Sequence, residues 1–432
     1  LLLLVATAAL LSACDLGATT TPTAPGEPTA TSGPQIEPTP PPTSAIDPTP
    51  TVPPSLTLRI WSIESFSPTE TITSGQILLE QVTAFQNLHA DVRIDFQIKK
   101  PYGKGGILDY LLTTEAVVPT LLPDLVYLDI EELGAAVQAE VVQPLDNLIP
   151  ADLASDLFPF ARQAGTLNGQ LYGVQVQADL DHLVYNTGQL TVPPRSWPGV
   201  LSSPRPYLFP AGGQAGLVND DFLVQLLGVR PWPSAEDPEA PFLEVDSVTA
   251  VLQYYQDGVS RGVFPPQILD YHTTEDSWRD YLAGQAALTH VSAHRYLLER
   301  DQLPDSAMAP IPGIGGATNP LSRGWALALV TADPARQSLA IEFLSELMSP
   351  QTNAAWNEAA SFLPTRQAAM ATWNEEDSYA RFAEQQLQAA QPRPRVPGYT
   401  QVAAALQQAV EQVITGITTP EEAAKQVVGE VE

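Results

Sequence analysis

The chain has 432 residues, with 49 acidic against 20 basic side chains and a formal net charge of −29. That balance excludes a generic binder of nucleic acid or of anionic lipid surfaces, whose phosphates such a surface repels. A single cysteine, Cys14, excludes an intramolecular disulfide and a cysteine-based zinc site.

In chain order, Leu1–Leu11 is nearly all Leu, Ala and Val. It is too short to span a bilayer and has the length of a signal-peptide apolar region. Leu11-Ser12-Ala13-Cys14 then resembles the lipobox of bacterial lipoproteins, in which cleavage precedes a cysteine that takes acyl chains. The expectation is a signal peptide over 1–13, incomplete because neither Met nor a basic stretch precedes it, and lipidation at Cys14. From Asp15 to Ser55 the chain is rich in Pro, Thr, Ala, Ser and Gly and has no Lys or Arg. Such a composition buries too little apolar surface to offset its ordering entropy, so 14–55 reads as a disordered tether. Its proline content gives a semi-extended reach on the order of 100 Å.

The folded part begins near Leu56, and its length exceeds one hydrophobic core, which implies two lobes. "SLTLRIW" alternates Leu56, Leu58 and Ile60 with Thr57, Arg59 and Trp61, a strand signal. "GQILLEQVTAFQNLHA" sets Leu78, Val82, Phe85 and His89 near one helical stripe, and "DVRIDFQI" alternates again. "PDLVYLD" is a short apolar run, the pattern of a buried parallel strand. Strands alternating with helices predict an α/β protein. Further on, Asp333 caps a predicted helix that starts at Pro334, and Pro350 follows its end. Thr419, Pro420 and Glu422 form a capping box. Chemistry motifs are missing: there is no glycine-rich phosphate loop and no G-x-S-x-G elbow. His290 and His294 have helical spacing but lack the acid that a zinc-protease motif needs, so neither a metal nor a cofactor is expected.

At "NGQLYGVQVQADLDHLVYN", Asn168 to Asn186, the chain resembles the family 1 extracellular solute-binding proteins of bacterial ABC importers. Further segments follow in that family's order: "PDLVYLDIEELGAAVQAEVVQPLDNLI", "PPRSWPGVL", "YLAGQAALTHVSAH", "RGWALALV" with its helical return to "FLPTR", and "TPEEAAKQV". The resemblance covers nearly all of Leu56–Glu432. It implies a two-lobe, type II periplasmic-binding-protein-like fold of the maltose-binding-protein kind, whose lobes close on a ligand about crossing hinge strands. Crossings are implied near Asp179, near Arg323 to Trp325, and near Gln391 to Pro397. The lobes are then 56–178 plus 326–390 and 179–325 plus 391–432.

Sugars are held by aromatic faces and by charge-assisted hydrogen bonds to hydroxyls. The candidate ligand residues are therefore aromatic and acidic groups at strand ends and crossings. Trp61 ends the first strand, with core packing as its alternative, and Glu64 lies in the loop beyond. Asp129 and Glu131 follow "LVYLD", where helix N-terminal charge is the alternative. Asp179 aligns with an acidic ligand residue of the maltose-binding protein, and a hinge cap is its alternative. Asn219 enters a helix from a glycine-rich loop, His294 stands where the family often has a stacking tryptophan, and Trp325 lies at the second crossing. Leu128, Ala403 and His294 occupy aromatic positions of the maltose-binding protein, which argues against a stacked malto-oligosaccharide.

The reading that follows is a monomeric, lipid-tethered, extracytoplasmic receptor, at the cell surface or in the periplasm. It captures a small solute, a sugar first, for an ABC permease; it is not an enzyme and binds no nucleic acid. A ligand-presenting sensory or adhesive module on the same scaffold, or a non-sugar solute, is the alternative. A glycosidase would need paired carboxylates in a nucleophile or base arrangement, and none is identifiable.

Overall fold

The computed structural model describes residues 56–231, 243–395 and 398–431. Cys14, the signal peptide and the tether lie outside the described residues. In chain order the strands are β1 (Leu56–Ser62), β2 (Val92–Ile98), β3 (Leu125–Asp129), the hairpin β4 and β5 (Thr166–Leu167 and Gln170–Leu171), β6 (Gly173–Gln175), β7 (Asp179–Asn186), β8 (Tyr207–Leu208), β9 (Leu288–Ser292), β10 (Ser306–Ala309), β11 (Leu321–Arg323), β12 (Trp325–Leu329) and β13 (Gln391–Pro392).

Two larger sheets result. The first has the order β2-β1-β3-β12-β6, with β1 parallel to β2 and β3, and β12 antiparallel to β3 and β6. The second runs β13-β11-β7-β9-β8, with β10 also pairing along β7. Leu125 to Leu128 are all buried because β3 sits inside its sheet with both faces covered, and so its sequence reads as a continuous apolar run. The predicted stripe Leu78, Val82 and Phe85 is the buried face of helix Thr73–Leu88, and His89 is its C-cap.

Local signals end the helices as their chemistry dictates. Asp333 accepts the Arg336 N–H at 2.9 Å, and Pro334 opens helix Pro334–Leu347. Pro350, besides closing off that helix, starts the next one, Pro350–Ala360, capped by Ser349. Thr419 and Glu422 exchange their capping hydrogen bonds at 3.3 Å. Among the described residues no helix is long and apolar enough to cross a membrane.

One core packs helices such as Pro334–Leu347 on the first sheet around Leu58, Ile60, Leu125 and Phe343. A second core joins β9 to helices Asp220–Val229, Val245–Ser260 and Tyr399–Ile414 through Phe222, Tyr255, Leu288 and Leu406. The result is the α/β two-lobe fold that the resemblance implied. The chain passes between sheets over Val176 to Ala178, at Gly324, and at Ala390. At Gly324 the backbone leaves no room for a side chain, since a Cβ there would collide with the Gln177 carbonyl. Helix Ser378–Ala389, just before the last passage, lies against β7, with the Tyr379 hydroxyl 3.3 Å from His182 Nε2.

The spacing of His290 and His294 is not helical in the fold. His290 is on β9 and His294 on helix Ala293–Glu299, because the chain turns at Ser292.

Candidate functional site

Asp179 and Asp181 share one face of β7, since strand side chains alternate, while Leu180 and His182 enter the core on the other. β11 runs antiparallel beside this stretch and sets Arg323 opposite Asp179. The Arg323 guanidinium donates to both oxygens of Asp181, at 2.7 and 2.8 Å, and to Asp220 Oδ2 at 3.1 Å. Asp179 Oδ2 stands farther off, 3.5 Å from Arg323. Asp220 opens helix Asp220–Val229, where a carboxylate also suits the helix dipole. Its Oδ1 accepts from Arg393, which follows β13 and whose Nη1 donates to Glu131 Oε2 at 2.8 Å. Arg395 donates to the backbone carbonyls of Ile130, at 3.0 Å, and Ala164. Two interstrand passages are thus tied together through one aspartate, and the third begins at the same place.

Asp179, Asp181, Asp220, Arg323 and Arg393 line a cavity of about 410 Å³, together with Asn219, His272, His294 and Tyr399. Burial pushes the Asp179 carboxyl up from its ordinary value; Arg323 opposes that shift and Asp181 adds to it. Burial also opposes ionisation of Asp220, but Arg393 and Arg323 outweigh it and hold that carboxyl low. From Asp221 in the wall, a buried hydrogen-bonded chain runs inward through His290 to Tyr207. Burial raises Asp221, against the pull of His290.

Asp179 also does structural work: its Oδ1 accepts the N–H groups of Leu180 and His294, each at 3.0 Å. Asn219 is an N-cap by position, but its side chain makes no capping bond and lies in the cavity wall. The His294 ring stacks on Phe362, with ring centres 4.2 Å apart, and its Nδ1 lies 3.0 Å from the Ser361 carbonyl.

The remaining candidates lie on the first sheet. Trp61 is 4% exposed and part of the core, with its indole N–H on Gln97. Glu64 is exposed in a short 3-10 turn. Asp129 ends β3, accepts the Tyr102 hydroxyl at 2.6 Å, and sits opposite Trp325 in the ladder. Trp325 is 8% exposed, with its ring 5.7 Å from that of Tyr102. Glu131 joins the cavity network through Arg393, and its carboxyl is raised by burial, partly offset by Arg393. Burial, then Asp129 and Glu131, push Glu132 up to about 7.

The structure therefore brings Asp179, Asn219 and His294 to one cavity and ties Glu131 to it. Trp61, Glu64, Asp129 and Trp325 lie outside its lining. Sequence reasoning missed Asp181, Asp220, Arg323, Arg393, Tyr102, His272 and Tyr399. A usable signal existed for the arginines: in a chain with 20 basic residues, Arg323, Arg393 and Arg395 fall in two expected crossings.

Residues 80–384 match the family model of the bacterial extracellular solute-binding proteins, which is most of the chain. The chain belongs to that family. This solute-binding protein is also similar in fold to solved structures at low identity. One is the cyclic alpha-maltosyl-1,6-maltose binding protein of Arthrobacter globiformis, 19% identical, with a TM-score of 0.68, covering 87% of this chain and 97% of that one. Another is the sugar-binding protein MalE of Xanthomonas citri, 17% identical, with a TM-score of 0.69 over 87% and 96%. A third is the maltose-binding periplasmic protein MalE of Listeria monocytogenes, crystallised with maltose, 15% identical, with a TM-score of 0.68 over 87% and 97%. Among curated protein sequences, none matches the chain.

Proposed function

We propose that this solute-binding protein captures an oligosaccharide or smaller sugar in the cavity beside its interstrand passages and delivers it to an ABC permease. The observation that carries this reading is the cavity itself. Its charged wall is built from strand β7, the N-terminus of helix Asp220–Val229 and the arginines of two passages, so occupancy and lobe movement share the same residues. The sugar-binding names of its structural neighbours support the ligand class. The moving bodies are 56–178 plus 326–390 and 179–325 plus 391–432. The proposed ligand groups are Asp179, Asn219 and His294 in the wall. Glu131, Asp129, Glu64 and Trp325 meet the solute from the other lobe on closure. The protein acts as a monomer, binds without catalysis, and is held at the extracytoplasmic membrane surface by acyl chains on Cys14.

A thermal-shift screen of mono- and disaccharides, polyols, amino acids and polyamines tests the ligand class. A solute at 100 times its dissociation constant adds about 2.7 kcal/mol. Stabilisation by amino acids or polyamines alone would remove sugar from the reading. For the anchor, Cys14→Ala should abolish acyl labelling in the host and leave the protein out of the membrane fraction; unchanged fractionation rejects lipidation.

A further inference from the structure

We infer that the cleft selects a saccharide bearing a protonated amine over neutral or uronic saccharides of the same size. This deepens the sugar reading above and rests on it.

The first support is how the charges in the cavity wall are matched. Asp179, Asp181 and Asp220 in the wall, with Glu131 tied to it through Arg393, share two guanidiniums, while the other lining acids have partners of their own, Asp221 in His290 and Glu275 in Arg295. Arg323 is committed to Asp181 and Asp220, and Arg393 to Asp220 and Glu131. No lysine lines the cavity among the described residues. An anionic solute would meet uncompensated carboxylates and no free guanidinium. A neutral sugar would find acceptors but leave the excess charge in place. An ammonium offsets it and donates three hydrogen bonds.

The acceptors extend beyond carboxylates. His272 Nδ1 lies 2.7 Å from the Gly213 carbonyl and His294 Nδ1 lies 3.0 Å from the Ser361 carbonyl. A carbonyl only accepts, so each Nδ1 carries a proton, and in the neutral ring Nε2 is left as an acceptor.

A second, independent observation lies on the first sheet. Tyr102, 55% exposed, stands 5.7 Å from the Trp325 ring and holds Asp129 through its hydroxyl. Next to Asp129 and Glu131, Glu132 has a buried carboxylate oxygen with no partner. Aromatic faces beside carboxylates bind ammonium groups. The same end of this sheet already does so with its own cation: Lys99 Nζ lies 4.7 Å from the Trp61 ring centre and 5.2 Å from that of Tyr110.

The test is calorimetric titration of the full chain at pH 7 with three disaccharides: a β-1,4 glucosamine dimer, its N-acetylated neutral form, and digalacturonate, with maltose as a further neutral sugar. The glucosamine dimer should bind about tenfold tighter than the neutral sugars, the difference between a charged and a neutral hydrogen bond. Digalacturonate should bind weakest, and the amine preference should shrink at high salt. Asp179→Asn and Asp129→Asn, made separately, locate the amine: one of them should bring the amine and neutral forms to within about twofold. Equal or tighter binding of a neutral or uronic sugar overturns the inference and leaves the sugar reading standing. Retention of the full amine preference in both variants also overturns it. If no saccharide binds, the sugar reading falls and the inference falls with it.

Discussion

One oxygen of Asp179 accepts the backbone N–H groups of Leu180 and His294, while the other faces the cavity 3.5 Å from Arg323. Asp179→Asn can keep the first role, because an amide oxygen accepts the same two donors, but it replaces the cavity-facing carboxylate oxygen with an uncharged NH2 donor. Hydrogen bonds to a charged acceptor are worth about 1.5–3 kcal/mol, so affinity for a stabilising solute should fall on the order of 10- to 100-fold while apo melting hardly moves. A large fall in melting temperature with affinity unchanged would assign the residue to the fold alone. Glu132 gives a pH signature. Its folded value, about 7, lies above its ordinary 4.5, so the native state binds more protons between those values and stability rises as pH falls through 7. Melting temperature should increase from pH 8 toward pH 6, and Glu132→Gln should flatten that slope; an equal slope in the variant would show that another group drives it. Asp220 has the opposite sign. Its carboxyl is held below 3.8, so its stabilisation is present above that value and is lost as pH falls through the lowered folded one.

At the scale of elements, a tight place is where β11 gives way to β12. The Gly324 carbonyl accepts the Ile130 N–H at 2.9 Å, and the Gln175 amide spans from the Gln177 carbonyl at 3.1 Å to the Arg323 carbonyl at 3.2 Å. Two passages therefore run against each other with no space for a methyl group. Gly324→Ala must shift backbone, and an overpacked site of this kind costs about 1–3 kcal/mol. Because Gly324 adjoins Arg323, the same substitution should also weaken solute binding. Denaturant unfolding together with a binding titration measures both; wild-type stability in the variant would mean that the passages separate easily.

Across the whole molecule, Arg393 connects Glu131, in the loop after β3, with Asp220 of the cavity wall. The Glu131 side chain is 39% exposed, so this pair contributes at most about 1 kcal/mol. That is enough to bias two lobe arrangements of similar energy, though not to hold the fold. Glu131→Gln should therefore leave unfolding nearly unchanged, widen the unliganded particle in small-angle scattering, and weaken solute binding by no more than about fivefold. Superimposable scattering curves for the two unliganded proteins would mean that the pair has no part in lobe movement.

Much of the architecture was legible because its signals are local. Alternation in "SLTLRIW" and "DVRIDFQI", the stripe of Leu78, Val82 and Phe85, and the caps at Asp333 and Thr419 depend only on neighbours within a turn or a strand, and each appears in the structure. The order of the weak family motifs carried the two-lobe expectation for the same reason: each motif is a short stretch of contiguous chain. What tertiary structure alone decided is partnership between residues far apart in sequence. Arg323 meets Asp181 across 142 positions, and Arg393 meets Asp220 across 173. No periodicity encodes such pairs, since they form only when separate passages between sheets converge. Trp61 shows the other side of that limit. At the end of β1 its pattern left core and cleft equally open, and burial among the strands and helices of the first sheet is a property of the assembled lobe.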